Sequence, residues 1–178
     1  MILIRHGQSH FNAIYSETRI DPGIADPGLT DEGKRQAETA ASELARLDIR
    51  RIITSPYQRT LETTRIIAET LDLPISIEPL VRERSYFSCD IGTPRSELAA
   101  RWPEHDFDHL EERWWTDPEE SEDALQVRCL RFHEAMAATP DWPQVLVVSH
   151  YAFIQGLTGE TVKNGQTVTY QPIEGARG

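Results

Sequence analysis

Arg5, His6 and Gly7 place a fixed cation, an imidazole and a conformationally free backbone position side by side, a combination suited to holding and attacking a phosphoryl group. The same triplet also describes a hydrogen-bonded histidine at a strand end beside a surface arginine. The two readings separate on whether distant parts of the chain can bring partners to it. His150 follows the apolar run Val145, Leu146, Val147 and Val148 with only Ser149 between, much as His6 follows Ile2, Leu3 and Ile4 with only Arg5 between. Arg59 comes shortly after a third apolar run, Ile52 and Ile53. His10 stands four residues after His6, a spacing that would suit a metal pair on one helical face, but no matching carboxylate or cysteine signature accompanies it and no metal site is expected.

The elements that must position these groups read as alternating strands and helices. Ile2, Leu3 and Ile4, stopped by Gly7, suit a strand buried on both faces of a parallel sheet. Thr30 can cap a helix with Asp31 and Glu32 in its first turn and Ala37, Ala40, Ala41 and Leu44 on its buried stripe. After Ile52 and Ile53, the residues Thr54, Ser55 and Pro56 lead into a second helix with Arg59 in its first turn and Leu61, Ala68 and Leu71 on one face. Pro74 ends it, and Ile75 and Ile77 suggest another strand. Leu125, Cys129, Phe132 and Met136 mark a further helical stripe ahead of the run at 145–148. Thr167, Val168, Thr169 and Tyr170 alternate as a half-exposed, antiparallel edge strand would, and residues 175–178 are expected to be mobile. This alternation implies an α/β fold with a largely parallel sheet, whose ligand site lies beyond the carboxyl ends of its strands. His6, Arg59 and His150 can converge there.

Arg5-His6-Gly7-Gln8-Ser9 with Asn12 resembles the signature of the histidine phosphatase superfamily, which includes phosphoglycerate mutases and many small phosphatases. Leu29-Thr30-Asp31-Glu32-Gly33 with Gln36-Ala37, then Ser55-Pro56 with Arg59-Thr60 and Thr63, then Glu83 and Ser149-His150, are similar to the family's later segments in the same order. The resemblance implies a three-layer α/β/α sandwich with a mostly parallel central sheet, phosphoglycerate mutase-like, carrying a helical cap insertion. It also implies a metal-independent phosphomonoester hydrolase without a cofactor. In it, neutral His6 attacks phosphorus in line, displaces an alcohol and forms phosphohistidine, which water hydrolyses.

By the same resemblance Arg5 and Arg59 bind phosphoryl oxygens, and His150 is a second pocket histidine donating to them. Glu83 corresponds to the acid that protonates the leaving oxygen and then helps deprotonate water. Ser9 and Asn12 offer polar contacts to phosphate or substrate, or bond to nearby backbone. Two departures stand out. The stretch Ser85-Tyr86-Phe87-Ser88-Cys89-Asp90-Ile91-Gly92 fits the family's pattern loosely, and Tyr151 follows His150 where glycine is common, narrowing the pocket and reaching substrate.

Length and composition set the outer bounds. The 178 residues suffice for one domain, 1–178, with 85–123 as a cap-like insertion. Phe87, Trp102, Phe107, Trp114 and Trp115 are available to pack that insertion, the default, or to contact substrate. The formal charge of −11 weighs against a nucleic-acid partner. The run at 2–4 is too short for a signal peptide or spanning helix, so no membrane partner and a cytoplasmic location are expected. Cys89 and Cys129 lack metal-like spacing and are expected to be reduced and structural. A homodimer is compatible with this reading.

The insertion is rich in Asp and Glu, which should discourage polyanionic substrates. A phosphoglycerate mutase must hold a carboxylate and a second phosphate as well, and this chain is shorter than the mutases it resembles. The expected partner is therefore a small phosphorylated metabolite, hydrolysed with a neutral or weakly charged leaving group. Mutase-type transfer, a phosphoprotein phosphatase and a non-catalytic binding protein on the same fold are the alternatives.

Overall fold

The two histidine-terminated runs are neighbouring strands. In the computed structural model, which describes residues 1–117 and 119–172, one sheet contains β1 (Ile2–Arg5), β2 (Arg51–Thr54), β3 (Ile75–Ile77), β4 (Val145–Ser149) and β5 (Thr167–Thr169) in the order β3-β2-β4-β1-β5. The expected mobility of 175–178 lies outside the described residues. β1 runs parallel to β4 with Arg5 opposite Ser149, so His6 and His150 leave the sheet side by side at the carboxyl ends. β2 and β3 continue the parallel array, and β5 pairs antiparallel with β1 at the edge, as the alternation at 167–170 predicts.

Among the described residues six α-helices complete the fold: α1 (His10–Thr18), α2 (Asp31–Leu44), α3 (Gln58–Leu71), α4 (Arg95–Arg101), α5 (Glu122–Ala137) and α6 (Tyr151–Thr158). Successive strand residues point to opposite faces, and both faces are covered. Ile4, Ile52, Leu146 and Val148 pack against Ala40, Ala41, Leu44 and Ile67 of α2 and α3. Leu3, Ile53, Val145 and Val147 pack against Leu125, Cys129 and Phe132 of α5 and Phe153 and Ile154 of α6. The result is the expected α/β/α sandwich, with a mixed, mostly parallel sheet.

α1, α4 and α6 are additions to the individual helices read along the sequence. Ser9 caps α1 by accepting from the Asn12 N–H at 3.2 Å while its own N–H donates to Asn12 Oδ1 at 3.1 Å. α6 ends at Gly159, whose φ of 79° lies where glycine is favoured.

The Leu29–Gln36 motif acts on the loop after β1. Gln8 N–H donates to Gln36 Oε1 at 2.9 Å, Thr30 N–H donates to the Gln8 carbonyl at 2.9 Å, and Gly7 N–H donates to Thr63 Oγ1 at 3.1 Å. Gly33 allows this approach, since a Cβ there would stand 2.1 Å from the Gln8 carbonyl oxygen. Alanine at a helix position gains up to about 1 kcal/mol in propensity, but a backbone clash of this kind costs roughly 1–3 kcal/mol or more and displaces the loop. Gly33→Ala is therefore expected to destabilise by about 2 kcal/mol net and lower the melting temperature by roughly 4–8 °C, as read by thermal unfolding.

Segment 85–123 divides into two parts. Trp102, Phe107, Leu110 and Trp114 are buried against Tyr57, Leu61, Ile77 and Leu98, and serve packing. Of the five aromatic residues singled out in the sequence, Phe87 alone lines the cavity described below. Among the described residues no helix is long and apolar enough to cross a membrane, and the two cysteines are free thiols.

Candidate active site

A cavity of about 580 Å³ opens at the carboxyl ends of the strands, with Arg5, His6, Arg59 and Glu83 in its lining together with Ser9, Asn12 and Tyr151. His6 is 3% exposed, and its Nδ1 lies 2.7 Å from the Gly7 carbonyl oxygen. A carbonyl only accepts, so Nδ1 carries the proton and Nε2 of the neutral ring keeps its lone pair. Nε2 has no protein partner among the described residues. Burial, reinforced by the charges of Arg59 and Arg5, holds the imidazole well below its ordinary pKa of 6.5, so the ring is neutral at physiological pH.

Arg59 reaches this point from the first turn of α3, where Asp26 accepts from the Gln58 N–H at 2.8 Å and from Thr93 Oγ1 at 2.6 Å. Its guanidinium donates from Nη2 to Asp90 Oδ1 at 3.0 Å, from Nη1 to the Cys89 carbonyl at 2.7 Å and from Nε to His150 Nδ1 at 3.3 Å. The fork is thus oriented from three sides, with further N–H groups left for a ligand. Arg5 donates to the Val162 carbonyl at 3.0 Å, its guanidinium lies over the Tyr151 ring at 5.2 Å from the centroid, and its buried Nε is unpartnered.

His150 sits beside His6, ring centroids 5.1 Å apart, but it is fully buried and is not part of the cavity lining. Its Nδ1 accepts from Arg59, so in the neutral ring Nε2 carries the proton, donated to Ser55 Oγ at 2.9 Å. Burial, followed by the charge of Arg59, depresses its pKa well below 6.5. As placed here, His150 bridges Arg59 and Ser55 directly beside His6.

Glu83 follows a short 3-10 turn (Pro79–Val81), and its Oε1 accepts from the N–H of Arg84 at 2.9 Å and of Ala152 at 3.0 Å. Burial and the nearby Asp90 charge push its carboxyl above the ordinary 4.5, outweighing those bonds and the attraction of Arg59 and Arg5. Arg128 of α5 holds the preceding backbone, donating to the carbonyls of Leu80 at 2.8 Å and Arg82 at 2.7 Å while paired with buried Glu120. Ser9 and Asn12 are engaged in capping α1. Asn164 Nδ2 donates to the His6 carbonyl at 3.0 Å and to Asn12 Oδ1 at 3.2 Å, which leaves the Asn12 amide nitrogen available to a ligand.

Several acidic residues of 85–123 are paired with arginines. Glu119 and Glu122 pair with Arg84, Glu120 with Arg82 and Arg128, and Glu112 and Asp108 with Arg95. The acids in the lining are Glu83 and Asp90, against Arg5, Arg19, Arg59 and Arg84. Pairing with local arginines weakens the field that these acids exert at the site. Among the described residues no cluster of three or more His, Cys, Asp or Glu could hold a metal ion, and exposed His10 opens α1 away from any such grouping.

The set can supply a neutral nitrogen nucleophile, two guanidinium groups for an oxyanion and a carboxyl with a raised pKa. Residues 1–170 match the family model for the histidine phosphatase superfamily, branch 1. The chain belongs to that superfamily. Among other members, it is 28% identical, over a 194-residue alignment spanning 100% of this chain and 80% of the relative, to glucosyl-3-phosphoglycerate phosphatase of Mycolicibacterium vanbaalenii. It is 34% identical over 100 residues, 55% of this chain and 45% of the relative, to 2,3-bisphosphoglycerate-dependent phosphoglycerate mutase of Thermoplasma acidophilum. A mycobacterial glucosyl-3-phosphoglycerate phosphatase solved with VO3 superposes with a TM-score of 0.65 at 21% identity, covering 94% of this chain and 90% of that one. This last likeness is one of fold. For a histidine phosphatase superfamily member, residues away from the recognisable motifs carry much of the support: Asp90, Arg128, Glu120 and Asn164 all hold site groups, and none is marked by a motif.

Proposed function

We propose that this protein is a phosphomonoester phosphatase acting through a phosphohistidine on His6 Nε2. The observation that carries the proposal is the Nδ1 bond to the Gly7 carbonyl, which fixes an unprotonated Nε2 on a ring lining a cavity that also contains Arg5, Arg59 and Glu83. The Nε2 lone pair attacks phosphorus as the ester P–O bond breaks. Arg5 and Arg59 stabilise the charge on the phosphoryl oxygens, His150 keeps Arg59 in place, and the Glu83 carboxyl gives its proton to the departing alkoxide. The resulting Glu83 carboxylate takes a proton from water as that water attacks the phosphohistidine. Inorganic phosphate leaves, with His6 and Glu83 returned to their starting states.

Hydrolysis is favoured over mutase-type transfer by the full-length alignment to a phosphatase, compared with 55% of the chain for the mutase. The test is rapid-quench incubation with phosphomonoesters labelled in phosphate, with chelator present. An acid-labile, base-stable phosphoenzyme followed by free inorganic phosphate is expected. Return of the label to another hydroxyl of the substrate would establish a mutase, and turnover without any phosphoenzyme would remove His6 from its role.

The pH profile follows from the two shifts. His6 must be neutral, so kcat/KM falls on the acid side only well below pH 6.5, where the ring gains its proton. Glu83 must be protonated, so kcat/KM falls on the alkaline side as pH rises through a carboxyl pKa lying above 4.5. Glu83→Gln is expected to lower kcat by about 100- to 10,000-fold on alkyl phosphates, less on esters with good leaving groups, and to remove the alkaline limb. An unchanged profile in that variant would assign the limb elsewhere.

A further inference from the structure

A phosphoryl group fills only a small part of the roughly 580 Å³ cavity, and the remaining lining is uneven. Ser9, Asn12 and Asn164 form a polar portion bonded largely to one another. The aromatic portion is continuous: Phe11 stacks on Tyr15 at 5.3 Å between centroids, and Phe87 lies 5.5 Å from Phe11, 5.0 Å from Tyr15 and 4.9 Å from Tyr86. Tyr86 remains 60% exposed, a large ring presented to solvent at the cavity.

Two arginines border these rings. Arg84 lies over Tyr86 at 5.7 Å and is neutralised by Glu119 and Glu122. Arg19 closes α1 with a φ of 57° and lies over Tyr15 at 5.9 Å. Its guanidinium has no acid and no hydrogen-bond partner among the described residues, in a chain of net charge −11. Asp90 joins this wall to the phosphate-binding residues, one oxygen on Arg59 and the other accepting from the N–H groups of Tyr86 at 3.2 Å and Phe87 at 3.0 Å.

We infer that the alcohol half of the substrate stacks on Tyr15, Tyr86 and Phe87 and that its outer end carries a carboxylate received by Arg19. The inference rests on the phosphatase reading and assigns its leaving-group class: an alcohol with a flat or apolar face and an anionic terminus. Aromatic contact and a partly exposed charge pair each give modest discrimination, of the order of tenfold.

The test compares kcat/KM for ethyl phosphate, benzyl phosphate and 4-carboxybenzyl phosphate in the intact protein, Tyr15→Ala, Phe87→Leu, Arg19→Ala and Arg19→Lys. A ratio of two substrates on one preparation is independent of the fraction folded. The benzyl-over-ethyl preference is expected to fall about tenfold in Tyr15→Ala and severalfold in Phe87→Leu. The carboxybenzyl-over-benzyl preference is expected to fall about tenfold in Arg19→Ala and to be partly restored in Arg19→Lys. Ratios that stay constant across the variants, or no preference in the intact protein, would overturn the inference and leave the phosphatase reading standing. Absence of both turnover and phosphoenzyme with every ester would instead defeat the phosphatase reading.

Discussion

His6→Ala is expected to lower kcat by on the order of 10,000-fold or more and to abolish the acid-labile phosphoenzyme. The ring is nearly fully buried, with one nitrogen committed to Gly7, so no water molecule can be held in the same place with the same basicity. The neighbouring His150 cannot substitute, because its two nitrogens are occupied by Arg59 and Ser55. Arg5 and Arg59 remain, so binding of phosphate should survive better than turnover, and inhibition by inorganic phosphate provides a check that the cavity is intact. A variant that kept its turnover and became labelled on another residue would refute the assignment.

Arg59→Lys is expected to reduce kcat/KM by about 100- to 1,000-fold, the scale associated with losing one oriented oxyanion donor. Charge is conserved, so any loss measures geometry. Lysine offers three donors from a single nitrogen, whereas Arg59 simultaneously serves Asp90, the Cys89 carbonyl and His150 and still has N–H groups for phosphate. Replacing it leaves buried Asp90 incompletely paired, so a loss of stability of roughly 1–3 kcal/mol should accompany the kinetic effect. Steady-state kinetics beside chemical denaturation separates the two. Retention of full activity by the lysine variant would show that charge alone suffices.

What the sequence made legible depended on whether a residue's role could be expressed locally. Apolar runs and helix stripes are local patterns, and β1 to β5, α2, α3 and α5 fall where those patterns lie. α1 is concealed because Ser9 and Asn12, its capping pair, suit contacts to a substrate as well as bonds to nearby backbone, and only the fold shows that they cap. Asp90 and Asn164 act across 31 and 158 residues of sequence, respectively, through single hydrogen bonds, which leave no periodic trace. The pairing of several acids in the 85–123 segment was equally hidden, since the pairs of Arg84 with Glu119 and Arg128 with Glu120 appear only once the backbone has brought them together. The histidine pair, in contrast, was visible as two similar strand endings, and parallel pairing turned that similarity into contact.

The late edge strand gives the fold a temporal property. β1 finds its hydrogen-bonding neighbours only in β4 and β5, and the loop carrying His6 is held from the far side by residues 162–166: Gly165 N–H donates to the Arg5 carbonyl at 3.0 Å, and Arg5 donates to the Val162 carbonyl at 3.0 Å. During vectorial synthesis His6 is therefore made well before the segment that fixes its loop. A nascent chain that has not yet extruded residue 166 should display His6 without the hydrogen bonds that set its loop, so the site takes its shape only when the sheet closes.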